Sequence, residues 1–318
     1  MSAVTADRPA ADATRAVVIP ERTGRGRRAP REPETARVRR RSHRVVLNVV
    51  AVIVFVFSVF PLYWMVNLSF TPGNEIISRD PSLVPKSPTL INYITAWSRA
   101  AAPGQTDFPH ALGMSLIVVA IVIVAALTVA FLASIALARF RFRGRHAFVV
   151  GILVVQMIPG EAMMFTVYNL IDDMRLMNSV IGLSLVHTAA VVPFTIWVLR
   201  GFVAGVPAEL EEAAQIDGCS KAQAFWKVTF PLLAPGLVST GIFAFMQSWN
   251  EFTMALLLMK DKGLTLPPWL NSFQSATEAT NYGAVMAAST LICIPVVIFF
   301  LIVQGRMTGG LVSGAVKG

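Results

Sequence analysis

Residues 45–68 read VVLNVVAVIVFVFSVFPLYWMVNL, 24 consecutive positions without a formal charge. A helix rises 1.5 Å per residue and needs about 20 apolar residues to cross a hydrocarbon core of about 30 Å, so this run is long enough to span a bilayer. It also exceeds the roughly 7–15 apolar residues of a cleavable signal. Arg39-Arg40-Arg41-Ser42 ahead of it superficially matches a twin-arginine signal, but no small-x-small cleavage pattern follows. The segment is expected to span and stay.

Working outward, five further runs qualify: 111–138, 147–171, 177–199, 237–259 and 282–304. Four of the six runs are free of formal charge; the third holds Glu161 and the fifth Glu251. A barrel would show alternating segments of about ten residues, which these are not. The expected fold is an all-α polytopic membrane protein with six transmembrane helices. Composition agrees, since 14% of the 318 residues are charged against about 25% in soluble domains. Ala126, Ala130 and Ser134 recur at four-residue spacing in the second run, letting another helix backbone approach closely.

The net charge of +9 is uneven: residues 1–44 hold 12 arginines and 5 acids. That tail lacks apolar periodicity and is expected to be a disordered basic cytoplasmic tail, with 45–318 forming the six-helix domain. No aromatic interleaving or folded reader accompanies it, so no nucleic acid partner is expected, and its expected role is topology and contact with the lipid membrane. With the amino terminus inside, the inner segments carry 12, 4, 3 and 2 Lys/Arg and the outer loops 3, 1 and 2. Both termini are therefore expected in the cytoplasm. Two cysteines, Cys219 and Cys293, exclude a disulfide scaffold and a multi-cysteine zinc site.

The largest inner loop, 200–236, is patterned. Pro207 suits a first helical position, Glu209, Glu211 and Glu212 suit first turns, and Gly218 suits a left-handed C-terminal cap. Ser220 with Gln223 makes a capping box for a second short helix, which Pro231 is expected to stop. Ala222, Phe225 and Trp226 share one face of it, a face for a partner or the membrane interface.

Glu212-Ala213-Ala214, three residues, Gly218, nine residues, then Val228-Thr229-Phe230-Pro231 resembles the EAA loop of ABC-importer permeases. The family pattern is Glu-Ala-Ala-x3-Gly-x9-Ile-x-Leu-Pro, with Val228 and Phe230 as apolar exchanges here. Asn92-Tyr93, Met157-Ile158-Pro159 with Tyr168, Pro193-Phe194 with Trp197, Trp249-Asn250-Glu251-Phe252 and the ending Gly314-Ala315-Val316-Lys317-Gly318 extend the likeness to the maltose-type carbohydrate branch over 45–318. Gly113-Met114-Ser115 departs from the Asn-Ser common at that place.

The resemblance implies a permease subunit of an ATP-driven sugar importer, half of a translocation pathway. It implies a second, non-identical permease, a cytoplasmic ATPase dimer and an extracytoplasmic solute-binding protein as partners. It assigns the coupling role to Glu212, Ala213, Ala214, Asp217 and Gly218. No phosphate-binding Gly-x4-Gly-Lys-[Ser/Thr] loop and no His-Glu-x2-His motif occurs in the chain. Hence no catalytic residue, metal site or cofactor is expected, and ATP hydrolysis falls to another polypeptide.

Glu161 and Glu251 remain inside spans, where an ionised carboxylate costs about 2.5–3.5 kcal/mol and demands a partner or a wet cavity. With Gln247, Trp249 and Asn250 they either line the solute pathway, amides and an aromatic face suiting sugar hydroxyls, or brace neighbouring helices. Pro159-Gly160 weakens the helix beside Glu161. Two rival readings stand beside the importer. An ion-coupled secondary carrier acting alone would use Glu161, Glu251 and His187 as a relay. A membrane scaffold would use the tail and the Trp226 loop to recruit partners.

Overall fold

The computed structural model describes residues 34–77, 82–98, 106–260, 263–273 and 280–314. Of the tail 1–44 expected to be disordered, residues 1–33 lie outside the described residues, as does the ending at 315–318, whereas 34–44 are helical and continue into the first crossing. In chain order the helices are α1 (Glu34–Ser69), α2 (Gly73–Ile76), α3 (Ile91–Ser98), α4 (Phe108–Arg139) and α5 (Arg145–Gln156). A 3₁₀ turn (Gly160–Met163) leads into α6 (Met164–Asp173), followed by α7 (Val180–Gly205), α8 (Glu209–Ile216) and α9 (Lys221–Ala224). A π turn (Phe225–Thr229) then joins α10 (Phe230–Trp249), and α11 (Thr253–Leu258), α12 (Leu266–Asn271) and α13 (Tyr282–Gly314) complete the order. Among the described residues there is no strand.

Five stretches are long and apolar enough to cross a membrane: Val45–Ser69, Phe108–Arg139, Val180–Gly205, Lys221–Trp249 and Tyr282–Gly305. A further apolar pair, Arg145–Gln156 and Gly160–Asp173, is bent by 88° and makes a sixth when counted as one broken span. The all-α, six-crossing architecture therefore stands, with the third crossing kinked rather than straight. Pro159 supplies no N–H and sits extended at φ −60°, ψ 126°, so the ladder ends at Met157 and Ile158 and restarts as a 3₁₀ turn.

The chain divides into two compact units, Met1–Ser58 and Val59–Gly318. In the first, residues 45–58 form uninterrupted helix with every side chain exposed, an apolar surface made for lipid. In the second, α4 is the central element. Its Val118, Val122 and Ala126 pack with Leu183 and Val191 of α7 and Ala244 of α10. Ala126, Ala130 and Ser134 are each fully buried, which is the close helix approach their spacing predicts. Toward the Arg139 end, Phe131, Ile135 and Ala138 meet Val203, Val206 and Leu233. Gly236 permits this approach of α10, because a Cβ there would lie 2.6 Å from Cγ of Phe202.

At the Phe108 end, Trp269 of α12 packs against Phe108, and Ala284, Ala287 and Ala288 of α13 join the same core. Asn92, in the family-like Asn92-Tyr93 pair, is buried and donates to the carbonyls of Ser69 (3.0 Å) and Thr71 (2.9 Å). It thereby pins α3 to the end of α1.

The fifth crossing differs from expectation at both ends. It starts earlier, because Pro231 does not stop the short helix: α9, the π turn and α10 run on continuously. A proline ring collides with the carbonyl four residues back, and the wider π turn just before Pro231 removes that collision. It also ends earlier, at Trp249, so Glu251 lies in the break before α11 rather than within a spanning helix.

Candidate functional site

Two constructions are candidates: the hairpin between α7 and α10, and a buried polar cluster at the far end of α10.

In the hairpin, α8 opens with Glu209, Glu211 and Glu212 in its first turn, where carboxylates complement the helix dipole. Pro207 lies just before the helix, two steps outside the first helical position expected for it. Gly218 has φ +93°, a left-handed conformation that closes the helix, and the Cys219 N–H donates back to the Ala214 carbonyl at 2.9 Å. Ser220 and Gln223 form the reciprocal capping box. A short acidic helix and a second capped helix are thus joined at a fixed angle.

The residues of α8 separate by face. Glu212, Ala213, Ile216 and Asp217 are exposed, with Ile216 at 87% the most uncovered; Gly218 is exposed beside them. Glu211, Ala214 and Gln215 turn inward and are partly buried. Of the five sequence-assigned coupling residues, Glu212, Ala213, Asp217 and Gly218 therefore lie on the uncovered side, and Ala214 on the seated one. Sequence reasoning gave Glu211 only a place in the first turn and no role at the site, yet it makes an ion pair, Oε1 to Nη2 of Arg139 at 3.0 Å, and also accepts from Oγ1 of Thr229 at 2.6 Å. The available signal was its phase, one turn from Ala214. Phe225 packs against Phe131 of α4, whereas Trp226 remains exposed.

The second cluster centres on His187 of α7, which is buried. Its Nδ1 meets Oγ of Ser248 at 3.0 Å and its Nε2 meets Oε2 of Glu251 at 3.0 Å. An ionised carboxylate only accepts, so Nε2 carries a proton, and a neutral ring then accepts from Ser248 at Nδ1. Glu251 also accepts from the N–H groups of Met254 (2.7 Å) and Ala255 (2.9 Å), capping α11. One carboxylate thereby ties α7, α10 and α11 together. The order Ser–His–Glu has the connectivity of a nucleophile, base and orienting acid. Here the serine is buried inside a helix packed in the core, which makes the set a brace.

The remaining candidates separate. Trp249 is 2% exposed and packs against Phe245, so it belongs to the core and offers no face to a solute. Gln247 and Asn250 are exposed on one side of α10's last turn. Glu161 is exposed in the 3₁₀ turn, and its carboxylate has no partner among the described residues. It is not joined to His187 or Glu251, which bond each other. Among the described residues no cluster of His, Cys, Asp and Glu suited to a metal occurs.

A protein family described as binding-protein-dependent transport system inner membrane component matches residues 130–309. The chain is 45% identical over 276 residues to the diacetylchitobiose uptake system permease protein DasC of Streptomyces coelicolor, covering 86% of this chain and 98% of that protein. It is 31% identical over 276 residues to the trehalose/maltose transport system permease protein MalG of Thermococcus litoralis, covering 86% and 97%. Among solved structures it matches a chain of a bacterial ABC transporter involved in the import of the acidic polysaccharide alginate, with TM-score 0.68 at 20% identity, covering 87% of this chain and 99% of that one.

Proposed function

The chain belongs to the binding-protein-dependent transport system inner membrane components, and from that membership we propose that it is the permease subunit of an ATP-driven importer of di- or oligosaccharides. It is a multi-pass membrane protein and a transporter subunit, not an enzyme. The observation that carries the ATP-driven reading is the capped hairpin between α7 and α10, whose acidic helix leaves one face uncovered. Glu212, Ala213, Asp217 and Gly218 on that side, with Ala214 beneath them, are the docking residues for a cytoplasmic ATPase dimer. Both termini then lie in the cytoplasm. A second permease completes the pathway, and an extracytoplasmic binding protein delivers the solute.

The saccharide class rests on relatives whose names specify diacetylchitobiose and trehalose/maltose. The common chemistry is a short chain of hydroxyl-rich rings. Glu161, Gln247 and Asn250 are uncovered polar groups suited to the pathway wall, whereas Trp249 and Glu251 act as bracing.

Proteoliposomes carrying this chain with its second permease, ATPase and binding protein test the reading. Uptake of diacetylchitobiose, trehalose or maltose should require internal ATP, and omission of the ATPase should abolish it. Uptake of these sugars by this chain alone on a proton or sodium gradient would overturn it. Gly218→Ala, strained at φ +93° by about 1–2 kcal/mol, should weaken ATPase co-purification while leaving membrane insertion intact.

A further inference from the structure

The helix α8 buries none of its residues. Beneath its start lies an apolar cleft of about 530 Å³, lined by Val198, Phe202, Leu210 and Leu232. Its inward residues Glu211, Ala214 and Gln215 are only partly buried, so apolar packing contributes little to seating this helix. Yet a coupling element must move the spans when it moves.

The polar contacts of one side chain supply the connection. Oε1 of Glu211 binds both Nη2 of Arg139, the last residue of α4, and Oγ1 of Thr229, the last residue of the π turn that leads into α10. Thr229 is 1% exposed, so this end of the contact is fixed in the core. The ion pair is about a quarter exposed on both sides, and a hydrogen-bonded, partly buried pair of this kind is stronger than a free surface pair. The amide of Gln215 donates to the Glu211 carbonyl at 3.1 Å, holding that turn of α8 to the same side.

Both elements so held are mechanically central. Arg139 ends the helix whose other turns carry the core, and Phe131 on that helix already packs with Phe225, which opens the π turn, and Phe230, which follows it. A π turn departs from the regular helical ladder and recurs at functional places in helices. Glu211 reaches from α8 to the last residue of that turn and to the end of α4, and so to two crossings at once.

We propose that Glu211 is the positioning residue that makes α8, the end of α4 and the head of α10 move as one body, with Arg139 and Thr229 as its receiving groups. This inference rests on reading α8 as the ATPase-docking helix. Glu211 faces inward while the docking face points outward, so the two roles separate by mutation.

The test uses the assembled importer in nanodiscs, with Cys219 and Cys293 replaced by serine. Spin labels at Glu209 on α8 and Leu132 on α4, both exposed, report their separation in the nucleotide-free and vanadate-trapped states. In the wild type the separation should be the same in both states. In Glu211→Gln the ATPase should still co-purify and hydrolyse ATP within about twofold, while the label separation broadens and shifts between states by about 5 Å, one helical turn. The exchanged pair Glu211→Arg with Arg139→Glu should restore the invariant separation, which a general packing defect would not do. A separation in Glu211→Gln identical to wild type, a wild-type separation that itself changes, or no recovery in the exchanged pair overturns the inference while leaving the importer reading standing. An ATPase that fails to assemble with the wild-type chain overturns that reading and this inference with it.

Discussion

Replacing Glu251 by alanine removes one acceptor group from three donors: Nε2 of His187 at 3.0 Å and the N–H groups of Met254 at 2.7 Å and Ala255 at 2.9 Å. The histidine is 3% exposed, so its donor finds no water, and a buried donor left without a partner costs about 1–3 kcal/mol. The two amides form the start of α11, where loss of a capping side chain costs about 1 kcal/mol. Together the substitution should destabilise the chain by about 2–4 kcal/mol. Glutamine keeps one acceptor oxygen and adds two donors, so Glu251→Gln should lose about 1–2 kcal/mol. Unfolding of the purified chain by SDS in mixed micelles, followed by tryptophan fluorescence, measures these differences. The decisive figure is the coupling in the double-mutant cycle of Glu251→Ala with His187→Ala, expected at about 1–2 kcal/mol. Additive losses, or a Glu251→Ala variant within about 0.5 kcal/mol of wild type, would refute the view that this carboxylate braces α7, α10 and α11 through the imidazole.

Two further outcomes follow from the same geometry. Gly236→Val places a Cβ 2.6 Å from the Phe202 ring and should cost about 1–3 kcal/mol, with partial recovery when Phe202→Leu is added; the same unfolding assay reads both. A membrane-impermeant maleimide should label the half-buried Cys219, in a Cys293→Ser background, in inside-out vesicles and not in intact cells; labelling from outside would invert the proposed topology.

The crossings were legible because lipid imposes length and apolarity on each. The hairpin was legible for a different reason. Caps are local chemistry, so Gly218 and the Ser220–Gln223 pair announce themselves within a few residues. Where the reading departed from the structure, the cause was nonlocal or a competition between local rules. Pro231 reads as a stop, yet a π turn ahead of it lets the helix continue, and nothing in composition distinguishes the two. The apolar run 237–259 conceals a break, because long apolar flanks on both sides outweigh the polar Asn250 and Glu251, while the Glu251 side chain captures the N–H groups that begin α11. Glu211 was hidden because its partners, Arg139 and Thr229, are distant along the chain or on the next element.

The uncovered polar groups carry the argument beyond the single chain. Glu161 stands exposed on the far side of the Pro159 break without a partner among the described residues, and Gln247 and Asn250 are exposed near the end of α10. Against lipid, a carboxylate alone costs about 2.5–3.5 kcal/mol at a span's centre, and the backbone freed by the break adds to it. Evolution of a stable lipid-facing surface would have replaced such groups by leucine or valine, as at Val52, Ile53 and Val54 of α1, which are exposed and apolar. The two kinds of exposed surface therefore call for two environments. The apolar one suits the bilayer, and the polar one suits a water-filled path or another polypeptide. A permease that is half of a pathway has both, and this supports reading the Glu161, Gln247 and Asn250 surfaces as belonging to the part that a second permease and the solute complete.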